Sequence, residues 1–151
     1  MVGIWSSKYG KRLIMSMQDI QTKIDNYKEV LTMLQGHDKL QYIVDMSREV
    51  EPLEEKYKLD SFKIRGCASS LWVVPMYKED VLNFMHDADS AITKGYAKIV
   101  LDIFNGQKLD DIVASRDIIK DLGIVELLTV QRQNGLGSLL DTIQNYAKRD
   151  N

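Results

Sequence analysis

The sequence contains few of the residues that form cross-links or metal centres: one cysteine and two histidines among 151 residues. A single cysteine excludes an internal disulfide. A zinc site would have to combine Cys67 with His37, His86 and carboxylates, and these residues show no recognisable ligand spacing. The sequence therefore predicts no bound metal and a reducing, cytoplasmic location.

The chain also lacks an excess of charge of one sign and a long apolar run. Its 20 lysines and arginines stand against 22 aspartates and glutamates, which gives a formal net charge of -2. Because no basic field is present, we do not expect nucleic acid or an anionic membrane surface as a partner. No apolar run approaches the roughly 18 residues that a membrane span requires, so we expect a soluble protein.

The hydrophobic content of 44% in 151 residues is enough for one domain with a core. The first 17 residues differ from the rest because they carry no acidic side chain and show no sustained helical period. We interpret residues 1–17 as a flexible or added N-terminal extension and residues 18–151 as the single folded domain.

Apolar spacing predicts two helices in the first third of this domain. Ser16 and Asp19 form a capping-box-like pair, and apolar residues then recur at helical spacing up to Gly36. The second helix is predicted to begin at Asp38 and to end at the Glu51-Pro52 step.

The middle of the domain is rich in β-branched and aromatic residues, which favour strands. Three runs are predicted to form a small antiparallel sheet: Phe62–Arg65, Leu71–Tyr77 and Val81–His86. Pro75 cannot donate a hydrogen bond to a neighbouring strand, so its strand is expected at an edge of the sheet or bulged. Cys67 falls in the bend between the first two predicted strands.

Helical spacing returns in the second half of the chain. A central core helix is predicted from Asp89 or Ser90 to the Asn105-Gly106 step. Two short segments, 109–114 and 117–122, and a final helix carrying Leu136 to Tyr146 follow it. The predicted order is ααβββαααα, in which a small three-stranded antiparallel sheet packs against helices in an α+β fold.

Cys67 is the principal candidate for chemistry, because a thiol reacts as its thiolate and the thiolate needs nearby positive charge or dipoles. Arg65, the flexible Gly66 and the backbone amides of the bend could supply both. The alternative is that Cys67 is a small buried hydrophobic residue. A hydrolytic role would require His37 or His86 as a base, and neither histidine lies in a supporting motif.

Two further groups of charged residues have structural and functional interpretations. Asp87 and Asp89 stand at the predicted junction between strand and helix, where carboxylates commonly cap the helix. Arg132 is predicted to precede a turn and the final helix, which is typical of an exposed cation flanking a helix. A role for Arg132 at the sulfur would require that the fold bring it close to Cys67.

Four segments of the chain, taken together, resemble the SufE family, whose members accept sulfur from cysteine desulfurases. The segment Ile64-x-Gly-Cys-x-Ser-x-Leu-Trp-Val resembles the family's sulfur-acceptor loop. The segment Asp87-Ala-Asp-Ser-Ala-Ile-Thr-Lys-Gly95 resembles the acidic junction ahead of the family's central helix, and Phe104-Asn-Gly-Gln resembles the exit from that helix. Leu127-Leu-Thr-Val-Gln-Arg-Gln-Asn-Gly-Leu136 is similar to the family's Leu-(Ser/Thr)-Pro-Ser-Arg-x-x-Gly-Leu segment. The four occur in the family's order, and the resemblance extends over roughly residues 18–148.

The sequence departs from the family pattern at a few positions. Ala68 and Ser70 stand where glutamines are usual, and Val130-Gln131 replaces Pro-Ser. These departures concern the geometry of the loop and the choice of partner.

The resemblance implies a sulfur carrier with a fold like that of SufE and IscU-type proteins. Cys67 would take persulfide sulfur from a cysteine desulfurase of the SufS or CsdA kind, stimulate that enzyme, and pass the sulfur to an iron-sulfur scaffold such as a SufB-type protein. The protein would be an accessory factor without turnover of its own and without a cofactor, apart from the transient persulfide on Cys67.

The resemblance also assigns supporting roles around Cys67. Arg132 would favour anionic sulfur, Asp89 would hold or steer the cysteine loop, and the loop residues Arg65, Gly66 and Ser69 would support the thiol. The alternative function is a non-catalytic interaction module in which the cysteine is structural.

Overall fold

The computed structural model describes residues 19–149. The helices and strands are, in chain order, α1 (Ile20–Met33), α2 (His37–Met46), β1 (Leu71–Lys78), β2 (Val81–Ala88), α3 (Ala91–Phe104), β3 (Gln107–Lys108), α4 (Leu109–Ala114) and α5 (Val130–Lys148). Short 3₁₀ helices connect them at Ser47–Glu49, Glu55–Tyr57, Asp60–Phe62, Ile118–Leu122 and Val125–Leu127. The extension predicted for residues 1–17, with Ser16, lies outside the described residues.

The sheet is a three-stranded antiparallel sheet in the order β1-β2-β3. β1 and β2 form a tight hairpin whose register runs from Leu71 opposite Ala88 to Lys78 opposite Val81. Glu79 in the hairpin turn has a φ of 57°. The α+β class and the small antiparallel sheet are confirmed, and Pro75 lies on an edge strand as expected.

The element order differs from the prediction, because the third strand follows the central helix. Residues 62–65 do not form a strand: the 3₁₀ helix Asp60–Phe62 leads into one isolated bridge between Lys63 and Trp72. The chain then turns at Gly66, and residues 62–65 do not extend this bridge into a strand. Gln107 and Lys108 complete the sheet instead, by pairing with the start of β2. The observed order is ααββαβαα rather than ααβββαααα.

The helix boundaries follow local capping chemistry. The Asp19 carboxylate accepts a hydrogen bond of 2.7 Å from the amide of Thr22 and begins α1. The Ser90 hydroxyl accepts from the amide of Thr93 at 3.5 Å and begins α3. α2 ends at Met46, earlier than predicted, because the chain tightens into the 3₁₀ helix Ser47–Glu49 well before Pro52.

α3 lies at the centre of the fold and contacts α1, α2, α5 and β2. Its inward residues are at most 1% exposed: Tyr96, Ala97, Ile99, Val100, Leu101, Ile103 and Phe104. Burying a large apolar side chain stabilises a fold by about 1.5–3 kcal/mol. This packing makes α3 the fixed element against which the cysteine loop rests. Within residues 19–149, no helix combines the length and apolar character needed to cross a membrane.

Candidate functional site

Cys67 lies in a closed loop at the entrance to β1. The loop is held at its base by the amide of Ile64, which donates to the carbonyl of Leu71 at 2.8 Å. Ile64 is 4% exposed and anchors this base in the core. Gly66 has a φ of +78°, a left-handed conformation that L side chains rarely adopt, and this turns the chain so that Cys67 follows at the bend.

The Cys67 thiol is half-buried and faces the packed helices rather than open solvent. Its Sγ lies 3.6 Å from the Tyr96 hydroxyl of α3. On the other side it meets α5 at Gly135, where an added Cβ would lie 2.9 Å from Sγ and 2.8 Å from the Tyr96 hydroxyl. The thiol therefore occupies a corner formed by a loop and two helices.

The turn predicted between Arg132 and the final helix is wrong, because α5 begins at Val130 and runs through Gly135. The Thr129 hydroxyl accepts from the amide of Arg132 at 3.3 Å and caps this longer helix. Gly135 is needed for the close approach of the cysteine loop rather than for a turn. The register of α5 places Arg132 one turn before Gly135 on the same side of the helix.

Arg132 lies near the start of α3, one turn before Gly135 on α5. Its Nη2 donates to the Ser90 hydroxyl at 3.5 Å, while its buried Nε has no hydrogen-bond acceptor among the described residues. The charge of the guanidinium acts on Tyr96, the residue that contacts Sγ. Arg132 is therefore a cation whose charge reaches Tyr96 and whose Nε donor is unused among the described residues.

The other predicted supporting residues contribute through the backbone or remain at the surface. The amide of Asp89 donates to the carbonyl of Ser70 at 3.0 Å, which ties the end of the loop to the start of α3. The side chains of Asp89 and Arg65 are exposed, and Ser69 is half-buried. Asp89 thus contacts the loop through its main chain, and among the described residues none of these three side chains forms a hydrogen bond with Sγ.

Asp87 is a buried clamp, a role that the sequence did not reveal. Its carboxylate contacts Lys94 at 3.0 Å and Lys58 at 3.6 Å, and it accepts from the amide of Leu53 at 3.0 Å. Burial alone would raise the pKa of Asp87, but the hydrogen bonds from Leu53, Lys94 and Ala88 outweigh it and hold the pKa below its usual value. The clamp fixes the segment before the cysteine loop to α3.

The histidines take no part in the cysteine site. His37 is exposed, 3.5 Å from Asp38. His86 is buried in β2, where burial, together with the charge of Lys98, lowers its pKa to about 4. The side-chain hydrogen-bond partner of Cys67 in the described part of the chain is Tyr96 and not a histidine. Across residues 19–149, no three His, Cys, Asp or Glu side chains are grouped to hold a metal ion.

Tyr96 and Gly135 were not recognised as site residues from the sequence. Tyr96 lies within the predicted central core helix, where a tyrosine at helical spacing is typical of the core, although a buried tyrosine hydroxyl requires a polar partner and this is a weak signal of function. Gly135 lies in the segment after Arg132 where the sequence predicts a turn. Their position beside Cys67 depends on how α3 and α5 pack, which the sequence does not show.

Comparison with known proteins decides the family. Residues 24–147 match the SufE family model, which is described as an Fe-S metabolism associated domain. The chain belongs to the SufE family. It is 30% identical over 145 residues to an uncharacterised SufE-like protein of Rhizobium etli, with 92% of this chain and 95% of that protein covered.

Further similarities agree with membership of the SufE family. The chain is 26% identical over 129 residues to the cysteine desulfuration protein SufE of Wigglesworthia glossinidia brevipalpis, covering 83% of this chain and 90% of that one. The solution structure of a hypothetical protein from Thermus thermophilus superposes with a TM-score of 0.69 at 15% identity, over 84% of this chain and 94% of that chain. The likeness to this structure concerns the fold.

Proposed function

We propose that this SufE-family protein is a sulfur acceptor and carrier that takes persulfide sulfur from a cysteine desulfurase onto Cys67. The observation that carries the proposal is the placement of the chain's single thiol at a half-buried loop corner, with the Arg132 guanidinium on the adjoining helix. The similarity to a protein named for cysteine desulfuration supports the same reaction class.

The transfer requires only thiol exchange. The Cys67 thiolate attacks the terminal sulfur of the persulfide on the desulfurase, and a new S–S bond forms at Cys67. The S–S bond on the desulfurase breaks, and its electron pair leaves with the desulfurase cysteine as a thiolate. Arg132 stabilises the negative charge that the sulfur atoms carry throughout the exchange. No oxidant or reductant is consumed.

A single cysteine suits the temporary storage of sulfur. With only one cysteine in the sequence, no second internal thiol can attack the persulfide and discharge it as a disulfide. The sulfur then remains on Cys67 until a thiol of an acceptor protein attacks it. We propose an iron-sulfur scaffold of the SufB type as that acceptor, a desulfurase of the SufS or CsdA kind as the donor, and the cytoplasm as the location.

The protein acts in this proposal as an accessory factor, with turnover residing in the desulfurase. The Cys67→Ser variant should no longer stimulate the cognate desulfurase, because a hydroxyl does not accept sulfane sulfur. Desulfurase activity is measured as sulfide or alanine released from cysteine, with and without the variant. Circular dichroism and thermal unfolding serve as controls for the fold.

If Cys67→Ser stimulated the desulfurase as strongly as the wild-type protein does, the carrier role would be rejected. The alternative, an interaction module with a structural cysteine, would then be favoured. Loss of stimulation by a folded variant would support the carrier.

A further inference from the structure

The Tyr96 hydroxyl is placed to act directly on the sulfur of Cys67. It lies 3.6 Å from Sγ, a distance at which either atom can donate a hydrogen bond to the other. Once the sulfur is a thiolate it has no proton, and only the phenol can donate. When Cys67 is a thiolate, the hydrogen bond therefore runs from the Tyr96 hydroxyl to Sγ.

The position of this hydroxyl is set by rigid surroundings. Tyr96 is 0% exposed in the middle of α3, so its ring cannot rotate away into solvent. Gly135 leaves room for the hydroxyl and the sulfur to meet, since a Cβ there would lie within 3 Å of both. Two helices thus hold a phenol donor at one place beside the loop.

The phenol keeps its proton under ordinary conditions. Burial raises the pKa of Tyr96 well above its usual range and the neighbouring Cys67 sulfur raises it further, while Thr93 and, to a smaller extent, the charge of Arg132 oppose this in part. Tyr96 is therefore a hydrogen-bond donor at neutral pH and not a competing anion.

We propose that Tyr96 is a catalytic residue for the release of sulfur from Cys67, in which its hydroxyl stabilises the departing Sγ thiolate. This inference rests on the proposed carrier function and adds a residue to it. In release, a thiolate of the acceptor attacks the terminal sulfur of the Cys67 persulfide and forms a new S–S bond. The bond between that sulfur and Sγ breaks, and its electron pair stays on Sγ, next to the hydroxyl of Tyr96.

Release should depend on this contact more strongly than uptake. A better-stabilised thiolate leaves faster, so donation to Sγ accelerates release. In uptake Sγ is the nucleophile, and the same donation has opposing effects, because it raises the thiolate fraction but lowers the reactivity of each thiolate. The two half-reactions therefore distinguish this role from general support of the loop.

The test is a single-turnover comparison of wild type and Tyr96→Phe, which removes only the hydroxyl. Each protein is loaded with sulfur by desulfurase and cysteine, separated from the enzyme, and mixed with a small-molecule thiol. Intact-mass spectrometry follows the loss of the persulfide. We expect release from Tyr96→Phe to be about tenfold slower, the effect of losing a hydrogen bond to a charged group, with uptake changed less.

Tyr27→Phe is the matched control. Tyr27 is a partly buried tyrosine packed against the core, and its hydroxyl donates to Asp102 at 2.6 Å, with no described hydrogen bond to Cys67. Loss of the Tyr27 hydroxyl should lower the free energy of unfolding but leave the rate of sulfur release from Cys67 unchanged. Urea unfolding of all three proteins confirms that they are folded under the assay conditions.

The outcomes separate the two proposals. Equal release rates for wild type and Tyr96→Phe would overturn the role of Tyr96 while the carrier function stands, because persulfide had formed on both. Equal slowing of uptake and release, or the same slowing in Tyr27→Phe, would also overturn it in favour of a structural role. Absence of persulfide on the wild-type protein would instead overturn the carrier function itself.

Discussion

Replacing Gly135 with alanine tests the packing of the cysteine loop against α5. Alanine in a helix interior is favoured over glycine by about 1 kcal/mol. At this position, however, the added methyl group would lie 2.9 Å from Sγ and 2.8 Å from the Tyr96 hydroxyl, closer than carbon contacts allow. Overpacking of this kind costs about 1–3 kcal/mol. We expect a net change in the free energy of unfolding between about zero and 2 kcal/mol, in the destabilising direction.

We expect the added methyl group to displace the cysteine loop and not the core, because Tyr96 is fully buried and Cys67 is only half-buried. Displacement of the loop would expose the thiol, so alkylation of Cys67 by iodoacetamide should become several-fold faster. With only one cysteine in the chain, the measured rate belongs to Cys67 without ambiguity.

Gly137 provides the matched control, since it lies in the same helix and an added Cβ there meets no described atom within 4 Å. Gly137→Ala should stabilise the protein by about 0.5–1 kcal/mol and leave alkylation unchanged. Urea unfolding and alkylation rates are measured for both variants. If Gly135→Ala stabilised the protein as much as Gly137→Ala, with an unchanged alkylation rate, the proposed contact between the loop and α5 would be refuted.

Two further predictions follow from charged and titratable groups. Because His86 has a pKa of about 4 in the fold against about 6.5 when unfolded, the unfolded chain binds a proton that the folded chain does not, and stability should fall by up to about 3 kcal/mol as pH drops through this interval. Urea titrations at several pH values should show that the free energy of unfolding depends less steeply on pH in His86→Gln than in the wild-type protein. Identical pH profiles for the two proteins would contradict a lowered pKa of His86. Arg132→Lys should slow sulfur transfer about tenfold with little loss of stability, because lysine keeps the charge but not the planar set of donors. The exposed Arg48, which pairs with Asp45, supplies the control Arg48→Lys, and an equal effect of both changes would remove Arg132 from the site.

Local signals in the sequence were sufficient for the main helices and the hairpin. The central helix has a serine cap at Ser90 and a stop at Asn105-Gly106, and the structure places its ends there. The apolar runs at 71–77 and 81–86 correspond to β1 and β2. These elements carry their own capping residues and periodicity, so pattern and structure agree.

The elements that were missed depend on contacts between distant parts of the chain. β3 has only two residues, Gln107 and Lys108, which is too short to show any period. The run at 62–65 has strand-like composition, yet Lys63 forms only one isolated bridge, with Trp72, before the turn at Gly66. In such short segments, tertiary pairing decides the structure and propensity does not.

The candidate site was predicted only in part, for a related reason. Cys67 could be identified because it is the single thiol and lies in a bend, and the family resemblance pointed to Arg132. The contact of Sγ with Tyr96 and Gly135 depends on the packing of α3 and α5, which no local pattern encodes. Asp87 was interpreted as a cap, although the structure uses it as an ion-pair clamp with Lys94.

The most direct test of the carrier role is the mass of the protein after incubation with a cysteine desulfurase and cysteine. We expect the intact protein to gain about 32 Da, the mass of one sulfur atom, on the peptide that contains Cys67, and a reducing thiol to remove it. An unchanged mass in a reaction where the desulfurase itself carries persulfide would contradict the carrier role.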